Sequence, residues 1–372
     1  MGRLIMLCNK YYDFANRQYD VGGIETYLRA LSHVAHDLEL HPVVVFPWES
    51  SWREVLPEGE IAIGAACRGG SSRELIESAE KIGDVKSDIL VFGTSTLVKR
   101  HRFAKSVAIQ HGVYWDLDSI HGRRVGNRKV AAALRAAQAQ TQLKKHDYVD
   151  AMVCVDCNYI NWMRAVTTER LPYVYIPNFA PTEASPCNLK LRNQGTSIIF
   201  ARRFERIRGC ELIIQTLPQL MGARNDIHLT IAGSGSMAGA LHDAFDRFEN
   251  VTFTTYDVTE SLAIHAVHDI ALVPSIGSEG TSLSLLEAMS AGCAVVSTEV
   301  GGMSNIVLDG FNGLLIRPNQ RDLFDALIEL IDNPGLRDEL GRHARETVQA
   351  SFSYDRWKSR WSSVLSSLSG GA

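Results

Sequence analysis

The stretch 271–302 constrains the fold more than any other part of the sequence. It reads Ala-Leu-Val-Pro-Ser-Ile-Gly-Ser-Glu-Gly-Thr-Ser-Leu-Ser-Leu-Leu-Glu-Ala-Met-Ser-Ala-Gly-Cys-Ala-Val-Val-Ser-Thr-Glu-Val-Gly-Gly. Residues 271–273 are a short apolar run closed by Pro274, which suits a parallel strand buried on both faces. Residues 275–280 are a polar loop. Ser282 has the chemistry of an N-cap, and Leu283, Leu286 and Met289 recur at helical spacing. Gly292 stands where a helix C-cap belongs, and 294–296 is the next buried strand. Glu279 lies in the loop before the helix and Glu287 inside it, eight positions later. The helix N-terminus between them carries free N–H groups and partial positive charge. A phosphate could sit at residues 280–283 (Gly280, Thr281, Ser282, Leu283), with hydroxyls on the two carboxylates. The alternative is that both glutamates are ordinary solvated residues.

The order and flanks of these elements add information. Glu279-x7-Glu287, followed by Ala288-Met289-Ser290-Ala291-Gly292 and Gly301-Gly302, resembles the signature of retaining, nucleotide-sugar-dependent glycosyltransferases of the GT-B type, family 4 (glycosyl transferases group 1). The resemblance implies an α/β architecture of two Rossmann-like, doubly wound parallel-sheet domains facing across a cleft. It also implies that Glu279 contacts donor-sugar hydroxyls and that Glu287 holds the ribose.

Length and composition agree with such a protein. A chain of 372 residues suits about two domains. The expected boundaries are 1–181 for an acceptor-binding domain and 182–351 for a nucleotide-sugar-binding domain, with a terminal helix at 352–372 crossing back onto the first. Apolar residues make up 45% and charged residues 22% of the chain, with net charge −4, so bulk charge does not mark a nucleic-acid binder. No apolar run reaches the 18 residues of a spanning helix. The N-terminus enters a strand without a signal-peptide pattern, and the cysteines are odd in number and unpatterned. These features point to a reducing, cytoplasmic setting, with the inner face of the membrane as the place of any peripheral contact.

The first half alternates strands and helices. Residues 3–8 read as a strand, 9–20 as a polar aromatic loop, and Gly22-Gly23-Ile24-Glu25 opens a helix through Leu38. Strand, Gly turn and helix together bring backbone N–H groups up to a phosphate, although a Gly pair is also an ordinary tight turn. The resemblance assigns Gly22 and Gly23 to the donor phosphates or the acceptor. Residues 43–46, 58–68, 89–92 and 106–110 read as strands and 71–81 as a helix. His111-Gly112 follows the strand at 106–110, and ligands gather at the carboxyl ends of parallel strands. A satisfied structural histidine is the other reading; the resemblance places His111 against the reacting sugar.

Asp116 and Asp118 have the spacing of a divalent-metal motif, but no sheet context supports it, and the expectation is that no metal and no cofactor is needed. Residues 119–146 contain no Asp or Glu and hold Arg123, Arg124, Arg128, Lys129, Arg135, Lys144 and Lys145. Such a stretch is a solvated helical face or a contact with an anionic membrane; it carries no motif that reads nucleic acid. Cys154 and Cys157 have redox spacing, which reads as coincidence in the absence of a second pair. A strand and turn follow at 174–179, and 180–196 reads as a linker.

The second half restarts at a strand over 196–200, followed by Arg202, Arg203, Glu205, Arg206, Arg208 and Gly209, then a helix over 210–220. Clustered arginines at a strand end suit a diphosphate. The family pattern is Gly-Arg, then Lys-Gly six residues after the Arg. Arg202 and Arg208 fit that spacing, with Ala201 in place of the Gly and Arg208 in place of the Lys. In the family these cations stand in for a metal on the leaving diphosphate. The resemblance also places Gly233 beside the nucleotide and Tyr256-Asp257 next to the base. Further strands are expected at 228–232, 251–255 and 310–316, and helices at 259–267, 321–331, 334–350 and 352–368.

The resulting expectation is a retaining hexosyltransferase. It moves sugar from a nucleoside diphosphate sugar, UDP first and GDP second, to a sugar, lipid-linked or polysaccharide acceptor in surface polysaccharide or glycolipid assembly. The rivals are a nucleotide-sugar epimerase of the same fold, a non-catalytic partner subunit, and an exported sugar-binding protein.

Overall fold

The computed structural model describes residues 2–20, 22–67, 71–113, 119–120, 123–124, 127–167, 172–180, 195–277 and 279–370. The Asp116 and Asp118 pair, and residues 181–194 of the expected linker, lie outside them. The chain divides into two units: one of residues 1–111, 119–177 and 357–372, the other of residues 112–118 and 178–356.

The first unit begins with β1 (Arg3–Leu7), a short hairpin of β2 (Tyr12–Asp13) and β3 (Gln18–Tyr19), and α1 (Gly23–Asp37). The next elements are β4 (His41–Trp48), β5 (Trp52–Val55), β6 (Ile61–Ala66), α2 (Ser72–Ile82), β7 (Ile89–Phe92) and β8 (Lys105–Gln110). A two-residue pairing of β9 (Ser119–Ile120) with β10 (Arg123–Arg124) precedes α3 (Arg128–His146). The run ends with β11 (Ala151–Cys154), α4 (Cys157–Val166) and β12 (Tyr173–Tyr175). The sheet order is β12-β11-β8-β7-β1-β4-β6-β5, parallel except for the β5/β6 pair. Its central strands are apolar throughout: Leu4–Leu7, Val43–Val45 and Leu90–Phe92 are almost fully buried, as a sheet covered on both faces requires.

Two features of this unit were not expected. β5 pairs antiparallel with β6 at the sheet edge. Arg53 and Glu54 interrupt its hydrophobic signal, as charged residues on edge strands do. The loop over 9–20 folds into the β2–β3 hairpin, and Tyr11 and Tyr19 both donate to Glu60 Oε1 at 2.9 Å.

The second unit runs β13 (Thr196–Ala201), α5 (Cys210–Ala223), β14 (Ile227–Ala232), α6 (Ala238–Phe245) and β15 (Val251–Thr254). It continues α7 (Ser261–Ala266), β16 (Ile270–Val273), α8 (Leu283–Ser290), β17 (Ala294–Thr298), β18 (Leu314–Ile316), α9 (Gln320–Asp332) and α10 (Pro334–Ser351). All six strands are parallel, in the order β15-β14-β13-β16-β17-β18. Alternate strand residues feed two cores. Ile198, Phe200, Leu229, Leu272 and Val296 pack with α5 and α9. Ile199, Ala201, Ala271, Val273 and Val295 pack with α8 and α10. β18 is shorter than the expected 310–316, because Gly310 and Gly313 take positive φ in a turn bridged from Asp309 to Gly313. α11 (Tyr354–Gly370) ends the chain, and from Trp357 onward it belongs to the first unit.

The order of the second sheet reverses between β13 and β16, whose carboxyl ends lie side by side. Crevices of this kind receive ligands in doubly wound sheets.

Candidate functional site

At that reversal, Arg202 directly follows β13 and Ser275 lies just beyond β16. Arg202 is buried. It donates from Nη1 to Ser275 Oγ at 2.6 Å and from Nη2 to Glu279 Oε1 at 2.6 Å, with a longer contact of 3.5 Å to Ser282 Oγ. Arg208 Nη1 lies 2.6 Å from the other carboxylate oxygen of Glu279. Ser275 Oγ also donates to Glu279 Oε1, and Thr298 Oγ1 fixes the Ser275 carbonyl at 2.6 Å. Burial by itself would raise the Glu279 carboxyl; the two guanidiniums and Ser275 outweigh it and hold the group at about 2. Burial lowers the Arg202 guanidinium, which Glu279 opposes and Arg208 reinforces. The result is a cluster of two cations on one anion, a net positive charge at the carboxyl ends of β13 and β16.

The backbone explains why Arg208 comes so close. Gly209 has φ +89° and caps α5. A Cβ there would run into the Pro274 carbonyl, so the loop after β13 lies directly on the loop after β16, and Ile276 N donates to Ile207 O at 3.0 Å.

Ser282 occupies the N-cap position of α8, as expected, but makes no side-chain cap. Its hydroxyl instead meets Arg202 and, at 3.2 Å, Ser284. The first N–H groups of α8 therefore remain without a side-chain acceptor at the N-cap, a position that suits an anion. Thr281 and Ser282 are buried, and Asn178 Nδ2 donates to Thr281 O at 2.5 Å. Gly280 is approached by Gly112: with φ +123°, a Cβ on Gly112 would lie 2.7 Å from Gly280 N. Leu283 begins α8.

Glu287 is one helical step further on. Burial pushes its carboxyl up to about 7, against a hydrogen bond with Ser261 and the charge of Arg202. Tyr256 is pushed up to about 12 by burial and by Glu287. Gly233, at the end of β14, has φ +142° and lies against the Arg202 carbonyl. Arg202, Arg208, Gly233, Tyr256, Glu279, Gly280, Thr281, Ser282, Leu283 and Glu287 thus belong to one neighbourhood of the second unit.

Asp257 is engaged differently. It is exposed, and its carboxylate accepts from Thr259 N at 2.9 Å and Thr259 Oγ1 at 2.7 Å, capping the turn before α7. Ser275 and Ser261 were missed in the sequence. The Pro274-Ser275 step at a strand end was the only available signal for the first.

In the first unit, Gly22 is the N-cap of α1. A Cβ on it would strike the Glu25 carboxylate, so this helix end carries its own negative group. His111 follows β8, with Nε2 2.8 Å from Gly93 O and Tyr27 edge-on at 5.6 Å. A carbonyl only accepts, so Nε2 holds the proton. Burial pushes the ring down to about 4, with Gly93 opposing, and it is neutral near pH 7. Cys154 and Cys157 have no disulfide, and burial raises both thiols. Among the described residues, no three His, Cys, Asp or Glu side chains converge on one point.

Comparison with known proteins places this geometry. Residues 195–333 match the family model described as glycosyl transferases group 1. The chain is 31% identical over 194 residues to the D-inositol 3-phosphate glycosyltransferase of Arthrobacter sp., covering 49% of this chain and 45% of that protein. It is 26% identical over 309 residues to the GDP-mannose-dependent monoacylated alpha-(1-6)-phosphatidylinositol monomannoside mannosyltransferase of Corynebacterium glutamicum, covering 78% and 79%. The match to the Arthrobacter protein thus spans about half of that relative's length. Among solved structures, the sucrose-phosphate synthase of Thermosynechococcus elongatus superposes with a TM-score of 0.77 at 16% identity over 100% of both chains. HepE of Anabaena, solved with UDP-glucose, gives 0.73 at 14% over 99% and 100%. The chain has the GT-B fold, two parallel-sheet α/β domains, and its residues 195–333 are similar to the glycosyl transferases group 1.

Proposed function

We propose that this protein is a retaining, family 4 glycosyltransferase. It takes a glycosyl residue from a nucleoside diphosphate sugar and hands it to a hydroxyl of a sugar, lipid-linked or polysaccharide acceptor. The observation that supports this best is the pair of arginines on Glu279 beside the open N-terminus of α8. A diphosphate draws on Arg202, Arg208 and the α8 amides, Glu279 accepts from the sugar hydroxyls, and Glu287 accepts from the ribose. Tyr256 and Gly233 border the nucleotide. Gly22, Gly23 and His111 are assigned to the acceptor side, where a neutral His111 offers Nδ1 as an acceptor.

In the reaction, the acceptor oxygen attacks the anomeric carbon on the face that the diphosphate leaves. The bond from that carbon to the phosphate oxygen breaks with its electron pair, and the acceptor proton passes to the same phosphate oxygen. The arginines stabilise the charge that develops there, so neither a protein nucleophile nor a metal is needed. UDP is the first choice of donor nucleotide and GDP the second: relatives of both descriptions occur, one named for GDP-mannose and one solved with UDP-glucose. The two curated relatives are named for inositol phosphate and phosphatidylinositol mannoside, which favours a glycolipid or surface polysaccharide acceptor and work at the cytoplasmic face of a membrane.

The test is thermal stabilisation by UDP, GDP, ADP and TDP in EDTA, with Glu287→Ala as control. A ligand at 100 times its Kd adds about 2.7 kcal/mol. One diphosphate that stabilises the wild type and not the variant supports the site and names the base. No stabilisation by any of the four overturns it.

A further inference from the structure

Ser275 touches both a cation and the anion of the arginine cluster, yet no ligand is assigned to it. It is fully buried and stands just past β16. Its backbone is held from both sides. Thr298 Oγ1, at the end of β17, donates to the Ser275 carbonyl at 2.6 Å, and the next N–H, that of Ile276, donates to Ile207 O at 3.0 Å. The register of β16 on β17 sets Val273 beside Ser297, which brings Thr298 within reach. The Ser275 side chain therefore starts from a fixed point.

The direction of its hydrogen bonds follows from its neighbours. A guanidinium has only donors, so Ser275 Oγ accepts from Arg202 Nη1 at 2.6 Å. The hydroxyl proton is then left for Glu279 Oε1. Arg202 Nη2 donates to the same Oε1 at 2.6 Å, whereas the partly exposed Arg208 meets the other oxygen, Oε2. Oε1 is thus tied by two buried groups. When Arg208 turns to a phosphate, Oε2 is the oxygen left open.

We propose that Ser275 is a positioning residue for glycosyl transfer, locking the Glu279 carboxylate so that Oε2 faces the donor sugar. This rests on the assignment of Glu279 to the sugar. Without the Ser275 hydroxyl the carboxylate keeps a single bond on Oε1 and turns about it, so the sugar-binding oxygen loses its direction. Small displacements of a contact are costly in the transition state. The other role for a buried serine is to tie two loops together. That role would weaken the whole site alike, whereas positioning acts only through Glu279.

A double-mutant cycle between Ser275→Ala and Glu279→Gln tests this. It is read as release of nucleoside diphosphate from UDP-glucose, UDP-galactose, UDP-N-acetylglucosamine and GDP-mannose, beside calorimetric affinity for UDP and GDP. Ser275→Ala is expected to lower turnover at least about tenfold, the scale of a hydrogen bond to a charged group, and to change nucleoside diphosphate affinity less than about twofold. In the Glu279→Gln background the same change should cost less than about twofold. Thr298→Val keeps the side-chain shape and removes the donor to the Ser275 carbonyl. It should lower turnover less than Ser275→Ala does, lose nothing further beside Glu279→Gln, and carry the test if Ser275→Ala does not fold. Equal factors in both backgrounds, or nucleotide affinity that falls in step with turnover, overturn the proposal and leave Ser275 a structural tie. A wild type that binds UDP or GDP but releases neither from any of the four donors overturns the sugar assignment beneath it. A wild type that binds no nucleotide overturns the donor site itself.

Discussion

Arg208 and Arg202 hold opposite oxygens of Glu279 at the same distance, 2.6 Å, but from different environments: the Arg208 side chain is 25% exposed and that of Arg202 only 4%. Arg208 can turn to a phosphate while Glu279 keeps Arg202 and Ser275 as partners. Removing Arg202 is costlier, because it takes the more deeply buried half of the pair away and strands the carboxylate. Arg202→Ala is therefore expected to cost about 3–5 kcal/mol of stability, and Arg208→Ala clearly less, because Glu279 keeps Arg202 and Ser275. Both should lose stabilisation by nucleoside diphosphate. Equal Tm losses in the two variants would contradict the division between a structural and an exchangeable arginine.

Glu279→Gln separates sugar from nucleotide. The amide keeps the shape and one acceptor oxygen but loses the charge that Arg202 and Arg208 share. Turnover should fall at least about a hundredfold, the scale of one lost transition-state interaction, while nucleoside diphosphate affinity changes by less than about fivefold, because the arginines are left free for phosphate. Isothermal titration beside single-turnover kinetics reads both. Equal loss in the two would remove Glu279 from the sugar.

Glu287 makes the site depend on pH. Its folded value of about 7 lies above the ordinary carboxyl range. Below about pH 4.5 the group is neutral in the folded and unfolded chains and costs nothing. Between there and pH 7 the unfolded carboxyl ionises while the folded one is held neutral, so stability is lost as pH rises, up to about 3 kcal/mol for a shift of this size. Glu287→Gln should thus gain Tm over the wild type progressively from pH 5 to 7, with a constant advantage above. Nucleotide affinity should move the other way. Ribose hydroxyls donate to the ionised group, so wild-type affinity should climb between pH 6 and 8 and the Gln variant should stay flat. A pH-independent difference in Tm would rule out the neutral carboxyl.

Much of this architecture was legible in the sequence, for a physical reason. Strands buried on both faces must be apolar throughout, so 89–92 and 196–200 stood out, and helices such as Gly23–Asp37 showed their stripe. β5 was hidden because an edge strand needs only one covered side, and its four residues give no apolar face: Arg53 and Val55 are exposed while Trp52 and Glu54 are half-buried. Glu279, Glu287, Arg202 and Arg208 were legible as a spaced motif, but their mutual pairing was not, since it depends on how two loops stack at Gly209 and Pro274. Ser275 was invisible because a serine after a strand is common, and only the fold places its hydroxyl between a carboxylate and a guanidinium. Ser282 was found at the right position for the wrong bond: a cap was expected, and the nearby Arg202 took the hydroxyl instead.

The first unit offers a test that touches no residue of the arginine cluster. Trp361 Nε1 donates to Tyr27 OH at 2.7 Å, and both residues are almost wholly buried. Trp357 stacks edge-on against Tyr27 at 4.9 Å. Tyr27→Phe keeps the ring packing and deletes the acceptor, leaving a buried indole N–H without its partner. That costs about 1–3 kcal/mol, or a Tm drop of several degrees for a unit of this size. Trp361→Phe in the same background should cost less than it does in the wild type, because its hydrogen bond is already gone; a double-mutant cycle measures the coupling. Nucleotide should still raise the Tm of each variant by the wild-type increment, because Arg202, Arg208, Glu279 and Glu287, proposed for the donor, belong to the other unit. Additive losses from Tyr27→Phe and Trp361→Phe would show that α11 is held by ring packing alone.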